Sequence, residues 1–247
     1  SGERKVLMEL PSPEVAGGIG NDTLRRVCVM LPPGYAEGDA RFPVVFLLPG
    51  FGGSDTAYLH LAELDLPVVL VGIDGRTRFG ATYFRDSAYA GQWEQFLVRV
   101  VQRVDTQYRT RDDARGLLGH STGGYNAIAM AMRRTDLFHA AAASSPDALD
   151  LEQWLVRDGR VKPIWLNWAR FDNALGRSGQ MISYAAQFSD ATNADQVAWP
   201  FDFQTGELNA EWRTWLEAQP LAWLQDEGRA VSIGRQLSGK LFVSVGR

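Results

Sequence analysis

Cysteine and histidine are almost absent: the 247 residues include one cysteine and three histidines. A lone thiol, Cys28, cannot close an intramolecular disulfide, and its neighbours Val27, Val29 and Met30 mark it as a small buried group. Histidines scattered at 60, 120 and 139 give no metal-ligand spacing, so neither a metal nor another cofactor is expected. No apolar run approaches the roughly 20 residues that cross a bilayer, and the start at Ser1-Gly2-Glu3-Arg4-Lys5 has neither a Met nor an apolar leader core. The compartment is left open between cytoplasmic and, after removal of an upstream leader, secreted. An excess of one charge sign is missing too. The formal net charge is −4, with no basic block to neutralise phosphates, which argues against nucleic-acid and membrane partners.

What is present suits one substantial core, so a single domain over 1–247 is expected. Short β-branched or apolar runs recur at Val27 to Leu31, Val44 to Leu48, Val68 to Ile73, Gly116 to Leu118, Ala140 to Ser144 and Leu241 to Val245. Such runs suit strands buried on both faces, and their alternation with helical stretches implies an α/β fold with a mostly parallel central sheet flanked by helices. Between Gln92 and Tyr108, the residues Phe96, Leu97, Val100, Val101 and Val104 fall at helical spacing on one side, an amphipathic helix packed on that sheet. Turn residues at Pro32-Pro33-Gly34-Tyr35 and Glu37-Gly38-Asp39 predict an antiparallel N-terminal hairpin leading into the parallel strands.

From about 147 to 226 the strand rhythm stops and seven of the eight tryptophans appear. The spacing of Trp212 with Trp215 and of Trp165 with Trp168 predicts inward faces of a helical insertion. The same segment can serve as a cap that gives a binding site an aromatic wall.

The chemistry is carried by Gly119-His120-Ser121-Thr122-Gly123. A serine that attacks a carbonyl must be exposed on rigid backbone, which a sharp strand-to-helix turn provides if its neighbours are small, as Gly119, Gly123 and Gly124 are. Leu117-Leu118 ends a strand before it, and Tyr125 to Arg134 reads as a helix after it. An oxyanion needs two donors. The N–H of Thr122 is the first expected, and the N–H of Phe51, in Pro49-Gly50-Phe51-Gly52-Gly53 after the Val44 strand, is the second.

With Leu31-Pro32-Pro33-Gly34-Tyr35, Asp74-Gly75-Arg76 and Tyr108-Arg109-Thr110, these segments resemble the esterase group of α/β hydrolases. That group includes esterase D (S-formylglutathione hydrolase), enterochelin-esterase-like and feruloyl-esterase-like enzymes, and the mycolyltransferases. The resemblance covers roughly residues 24 to 146 and implies the α/β-hydrolase fold, with Ser121 as nucleophile and Phe51 and Thr122 as oxyanion-hole residues. Pro49 departs from the pattern, because many relatives have histidine there, and no catalytic role transfers to it. Asp74 matches a recurrent Asp-Gly, where stabilising a turn is the expected role.

A serine needs a base, normally a histidine oriented by a carboxylate, in the order Ser, acid, His. Only His139 follows Ser121. The intervening helix carries it ~18 Å away at 1.5 Å per residue. His120 is expected to be packing, and His60 sits in the helix after the oxyanion loop. Asp147, Asp195, Asp202 and Asp226 follow Ser121, but none has a motif that makes it the acid. Family members place the acid after a strand resembling Leu241 to Val245, then a helix, a last strand and a histidine loop. The expectation is that this C-terminal strand-helix-strand, on the order of 40 to 60 residues, lies beyond residue 247 with the acid and histidine.

The expected activity is hydrolysis of a carboxylic ester or thioester through an acyl-enzyme on Ser121, with a small-molecule ester, bulky or aromatic, as partner. The alternatives are acyl transfer of the mycolyltransferase type and acyl-ligand binding without catalysis.

Overall fold

The computed structural model describes residues 4–16, 21–176, 179–189 and 197–245. Seven strands form one sheet: β1 Lys5–Pro11, β2 Leu24–Met30, β3 Phe42–Leu48, β4 Val69–Ile73, β5 Thr110–His120, β6 Ala140–Ser144 and β7 Leu241–Ser244. Their spatial order is β1-β2-β4-β3-β5-β6-β7. β1 pairs antiparallel with β2, and β2 antiparallel with β4. From β4 to β7 every pairing is parallel.

The hairpin therefore lies earlier than the turn residues suggested. It joins β1 to β2, whereas the turns around 32–39 carry the chain from β2 to β3, with β4 lying between those strands. The signal for β1 is its period-2 alternation: Lys5, Leu7 and Glu9 face solvent, while Val6, Met8 and Leu10 are covered to varying degrees. β5 is also longer than its apolar run. After the buried Thr110, Arg111 to Asp113 are polar and exposed, with Arg111 paired to Asp113.

Helix α1, Trp93–Gln107, buries Phe96, Leu97, Val100, Val101 and Val104 as its spacing requires, each such burial contributing about 1.5–3 kcal/mol. Helix α2, Thr122–Arg133, is buried along nearly its whole length. It can approach so closely because a Cβ on Gly123 would lie 1.9 Å from the Leu48 carbonyl oxygen, and one on Gly119 would lie 2.1 Å from that of Gly123. Only glycine fits at either position.

Between 147 and 226 the described residues add no strand to the main sheet. They form helices α3 Leu151–Leu155, α4 Pro163–Leu175, α5 Gln180–Phe188, α6 Glu211–Glu217 and α7 Pro220–Trp223, with a two-residue ribbon pairing Val156–Arg157 with Arg160–Val161. α4 begins with proline in its first turn and ends on left-handed Gly176, the usual helix punctuation. Asp172 then joins α4 to α5, its Oδ2 accepting the N–H groups of Met181 at 2.9 Å and Ile182 at 3.2 Å.

Trp212 and Trp215 do face inward and are buried. The pair on α4 divides instead. Trp165 is half-buried against Trp154, but Trp168 points outward, because α4 already buries Leu166, Ala169 and Asp172 on its opposite face. Helix α8, Glu227–Leu237, leads into β7, whose four residues are all exposed at the sheet edge.

Candidate active site

β5 ends at His120 and α2 begins at Thr122, so Ser121 alone makes the turn between them. Its φ of 57° and ψ of −127° are a conformation that costs a non-glycine residue about 1–3 kcal/mol unless its surroundings impose it. They do: the Ser121 N–H donates to the Ser144 carbonyl at 3.0 Å, and the Ser121 carbonyl accepts from the N–H groups of Tyr125 at 3.1 Å and Asp147 at 3.2 Å. The ends of β3 and β5 are tied by Tyr58, whose hydroxyl accepts the His120 N–H at 2.9 Å and donates to the Leu48 carbonyl at 3.1 Å.

The loop after β3 lies alongside. A Cβ on Gly50 would stand 3.6 Å from Ser121 Cβ, so the backbone at Gly50-Phe51 borders the serine. The Phe51 ring extends over Gly80 and reaches a cavity of about 750 Å³. Phe51 and Asp147 share that wall; Trp165, Trp168, Phe171 and Tyr184 belong to the helical side.

Asp147 is brought to the serine by the hydrogen bonds that strap the loop after β6 to the turn. Ser121 Oγ donates to Asp147 Oδ1 at 3.4 Å. The other carboxylate oxygen, Oδ2, accepts from Thr122 Oγ1 at 2.8 Å, the Tyr83 hydroxyl at 3.0 Å and Gln180 Nε2 at 3.1 Å. Three donors on Oδ2 fix the carboxylate with Oδ1 turned to the serine. Burial, then the nearby Tyr184 and Asp147, hold the Tyr83 hydroxyl well above its ordinary range. It therefore stays a protonated donor while accepting from Gln180 Nε2 at 2.6 Å.

Tyr83 and Gln180 gave no sequence signal, since neither lies in a motif. Asp147 had one: it stands three residues beyond β6, the strand next to β5, and sites in open α/β sheets gather at the C-terminal ends of neighbouring strands.

The other candidates lie elsewhere. Asp202 accepts from the Gln204 and Thr205 N–H groups within its own turn, and Asp226 caps α8 by accepting from the Arg229 N–H. Asp195 lies outside the described residues. Asp74 grips the Arg76 guanidinium at 2.9 Å and its N–H at 3.2 Å. His139 precedes β6 at its opposite end, where its Nδ1 accepts the Arg115 N–H at 3.4 Å. His120 is exposed rather than packed, its Nδ1 lying 3.4 Å from Ser144 Oγ. His60, also exposed, lies beside Tyr58 in the 3₁₀ turn Leu59–Leu64. Among the described residues no histidine hydrogen-bonds to Ser121.

Residues 21–165, more than half of the chain, match the esterase family described as "Putative esterase". The chain belongs to this esterase family. Esterase Rv1288 of Mycobacterium tuberculosis strain H37Rv is 27% identical over 179 residues, 66% of this chain. The chain spans only 36% of that relative's length. Among solved structures, FphF, a fluorophosphonate-binding serine hydrolase of Staphylococcus aureus, superposes with a TM-score of 0.56 at 14% identity, over 98% of this chain and 89% of that one. A ferulic acid esterase gives 0.54 at 17% identity over 98% and 88%. At such identities these likenesses establish the fold, the α/β-hydrolase arrangement of a mostly parallel sheet with flanking helices.

Proposed function

We propose that this chain is a serine esterase in which Ser121 attacks the carbonyl carbon of a carboxylic ester. The alcohol leaves, and water hydrolyses the acyl-enzyme to release the acid and restore the serine. The observation that carries the reading is Ser121 itself: a non-glycine residue at positive φ, alone between the central strand β5 and the buried helix α2. It sits beside the glycine-rich loop in a chain of the esterase family.

In this reading the backbone N–H groups of Thr122 and Phe51 hold the oxyanion, the first from the start of α2, where N–H groups have no intrahelical partner. Asp147 orients the serine hydroxyl. The described segment from 147 to 226 is a helical cap within a single α/β-hydrolase domain, and its aromatic wall favours a bulky or aromatic substrate group. Thioesters are open to the same chemistry.

The test is release of p-nitrophenol from short p-nitrophenyl esters, with labelling by a fluorophosphonate probe. Ser121→Ala should abolish labelling and lower kcat/KM by about 10⁴-fold or more; retained activity would remove the serine assignment. An added alcohol acceptor separates hydrolysis from acyl transfer by the products formed. A second reading, an acyl-ligand binder without turnover, draws on the lack of a histidine hydrogen-bonded to Ser121 among the described residues. It predicts ligand binding with neither labelling nor p-nitrophenol release.

A further inference from the structure

Helix α4 presents an apolar stripe to solvent. Ile164, Trp168 and Phe171 stand at spacings of four and three, on one face, and are 60%, 53% and 55% exposed. A folded protein normally covers such a face, and one left open beside a cavity marks a place where something apolar is held. Trp168 and Phe171 form an edge-to-face pair with ring centroids 6.1 Å apart. The pair lines the cavity that contains Asp147, and with Ile164 and Asn167 it also lines an outer groove of about 370 Å³. One aromatic pair thus belongs to both spaces, and the apolar surface continues out along α4 from the cavity lined by Asp147, the hydrogen-bond partner of Ser121.

The outer groove carries one amide, from Asn167, and no charged side chain. Nothing there would recognise a sugar, a phosphate or a peptide backbone by charge or by an array of hydrogen bonds. From Ile164 to Phe171 the stripe runs roughly 10 Å at the helical rise. That is a length suited to a linear chain rather than a single ring. A second copy of this protein fits less well, because a stable dimer buries ~800 Å² on each partner and three partly exposed side chains supply much less.

We propose that the α4 stripe is a subsite for the unbranched alkyl tail of a long-chain ester, whose carbonyl lies at Ser121. The inference rests on the serine-esterase reading and adds the substrate class. The reactive end occupies the inner cavity, the tail passes the Trp168–Phe171 pair, and its distal methylenes lie along the stripe toward Ile164. Each methylene withdrawn from water strengthens binding by up to about fourfold, and that gain stops when the tail outruns the stripe.

The experiment compares p-nitrophenyl acetate, octanoate and laurate, kept below micelle-forming concentrations, on the wild type and on an Ile164→Asp variant. Ile164 faces solvent and lines the outer groove but not the inner cavity, so the variant keeps both the buried face of α4 and the cavity wall. For the wild type kcat/KM should rise from acetate to laurate. For the variant laurate should lose about tenfold or more while acetate stays within about twofold. Calorimetry with free laurate should show binding that the variant lacks.

A wild type that prefers acetate, or a variant with an unchanged chain-length profile, overturns the proposal. So does a stripe whose loss alters only binding to phosphatidylcholine vesicles or only dimerisation in ultracentrifugation. If no ester of any length is hydrolysed and laurate still binds through the stripe, the esterase reading fails while the alkyl subsite stands. Hydrolysis without chain-length preference or laurate binding fails the subsite alone.

Discussion

The sheet side and the helical side of the candidate site hold their residues by different means. On the sheet side, Ser121 is fixed by backbone hydrogen bonds to β6 and its following loop, and α2 lies so close to β3 that a single methyl on Gly123 has no room. On the helical side, the Asp172 carboxylate bridges α4 to the start of α5, and α4 turns Trp168 and Phe171 outward instead of into a core. Close packing transmits any change of volume, whereas an exposed aromatic surface can be altered without disturbing what lies beneath it. The sheet side suits a reaction that needs atoms held to fractions of an ångström. The helical side suits recognition, in which a substrate can be gripped with some tolerance.

Filling the gap on the sheet side is the sharpest way to break that contrast. Gly123→Ala puts a Cβ 1.9 Å from the Leu48 carbonyl oxygen, and backbone must move to admit it. The expected cost is about 3 kcal/mol, read as a fall in the denaturant midpoint, with loss of the proposed ester hydrolysis because Ser121 moves with the helix. A variant as stable and active as the wild type would show that α2 is not held as tightly as its contacts imply. Asp147→Asn probes the same side without changing volume. It should leave the midpoint nearly unchanged while kcat for a p-nitrophenyl ester falls by about tenfold to a hundredfold, the scale of a misplaced reacting group. Unchanged kcat would remove Asp147 from the site.

The same division decides how much could be read from sequence. The sheet side announces itself, because buried parallel strands are continuous apolar runs and a strand-to-helix turn around a serine demands glycines. β6 falls where its run predicted, and α1 buries the five residues its spacing selected. What periodicity could not see were polar or half-covered strands: β1, whose alternation is easily passed over in a charged N-terminal segment, and the Arg111 to Asp113 stretch of β5, which lies at the surface. The contact of Asp147 with Ser121 is set by parallel register, since β6 ends beside β5, and a pairing between strands separated by a helix leaves no local pattern. On the helical side the tryptophan spacing was visible, but spacing gives two possible faces. Trp212 and Trp215 found the core, while Trp168 did not because Leu166, Ala169 and Asp172 had taken the buried side of α4.

The smallest expected effect lies at the joint of the helical side. Asp172 is nearly inaccessible, and burial raises its carboxyl pKa; the N–H groups of Ile182 and Met181, which favour the ionised form, only partly oppose that rise. A raised folded-state value means that the folded protein holds this proton more tightly than the unfolded chain, whose carboxyl titrates near 3.9. The resulting stabilisation is complete below that value and disappears as pH rises through the folded-state value. Asp172→Asn keeps an oxygen able to cap α5 but cannot titrate. Its stability relative to the wild type should therefore improve by about 1 kcal/mol or less as pH is raised through the acid range, measured by urea denaturation at a series of pH values. A difference that stays flat would mean that the Asp172 carboxyl is not the desolvated group its burial makes it. A difference that grows in the opposite direction would mean that the two N–H groups outweigh burial and that the charged form is the one that locks α5 against α4.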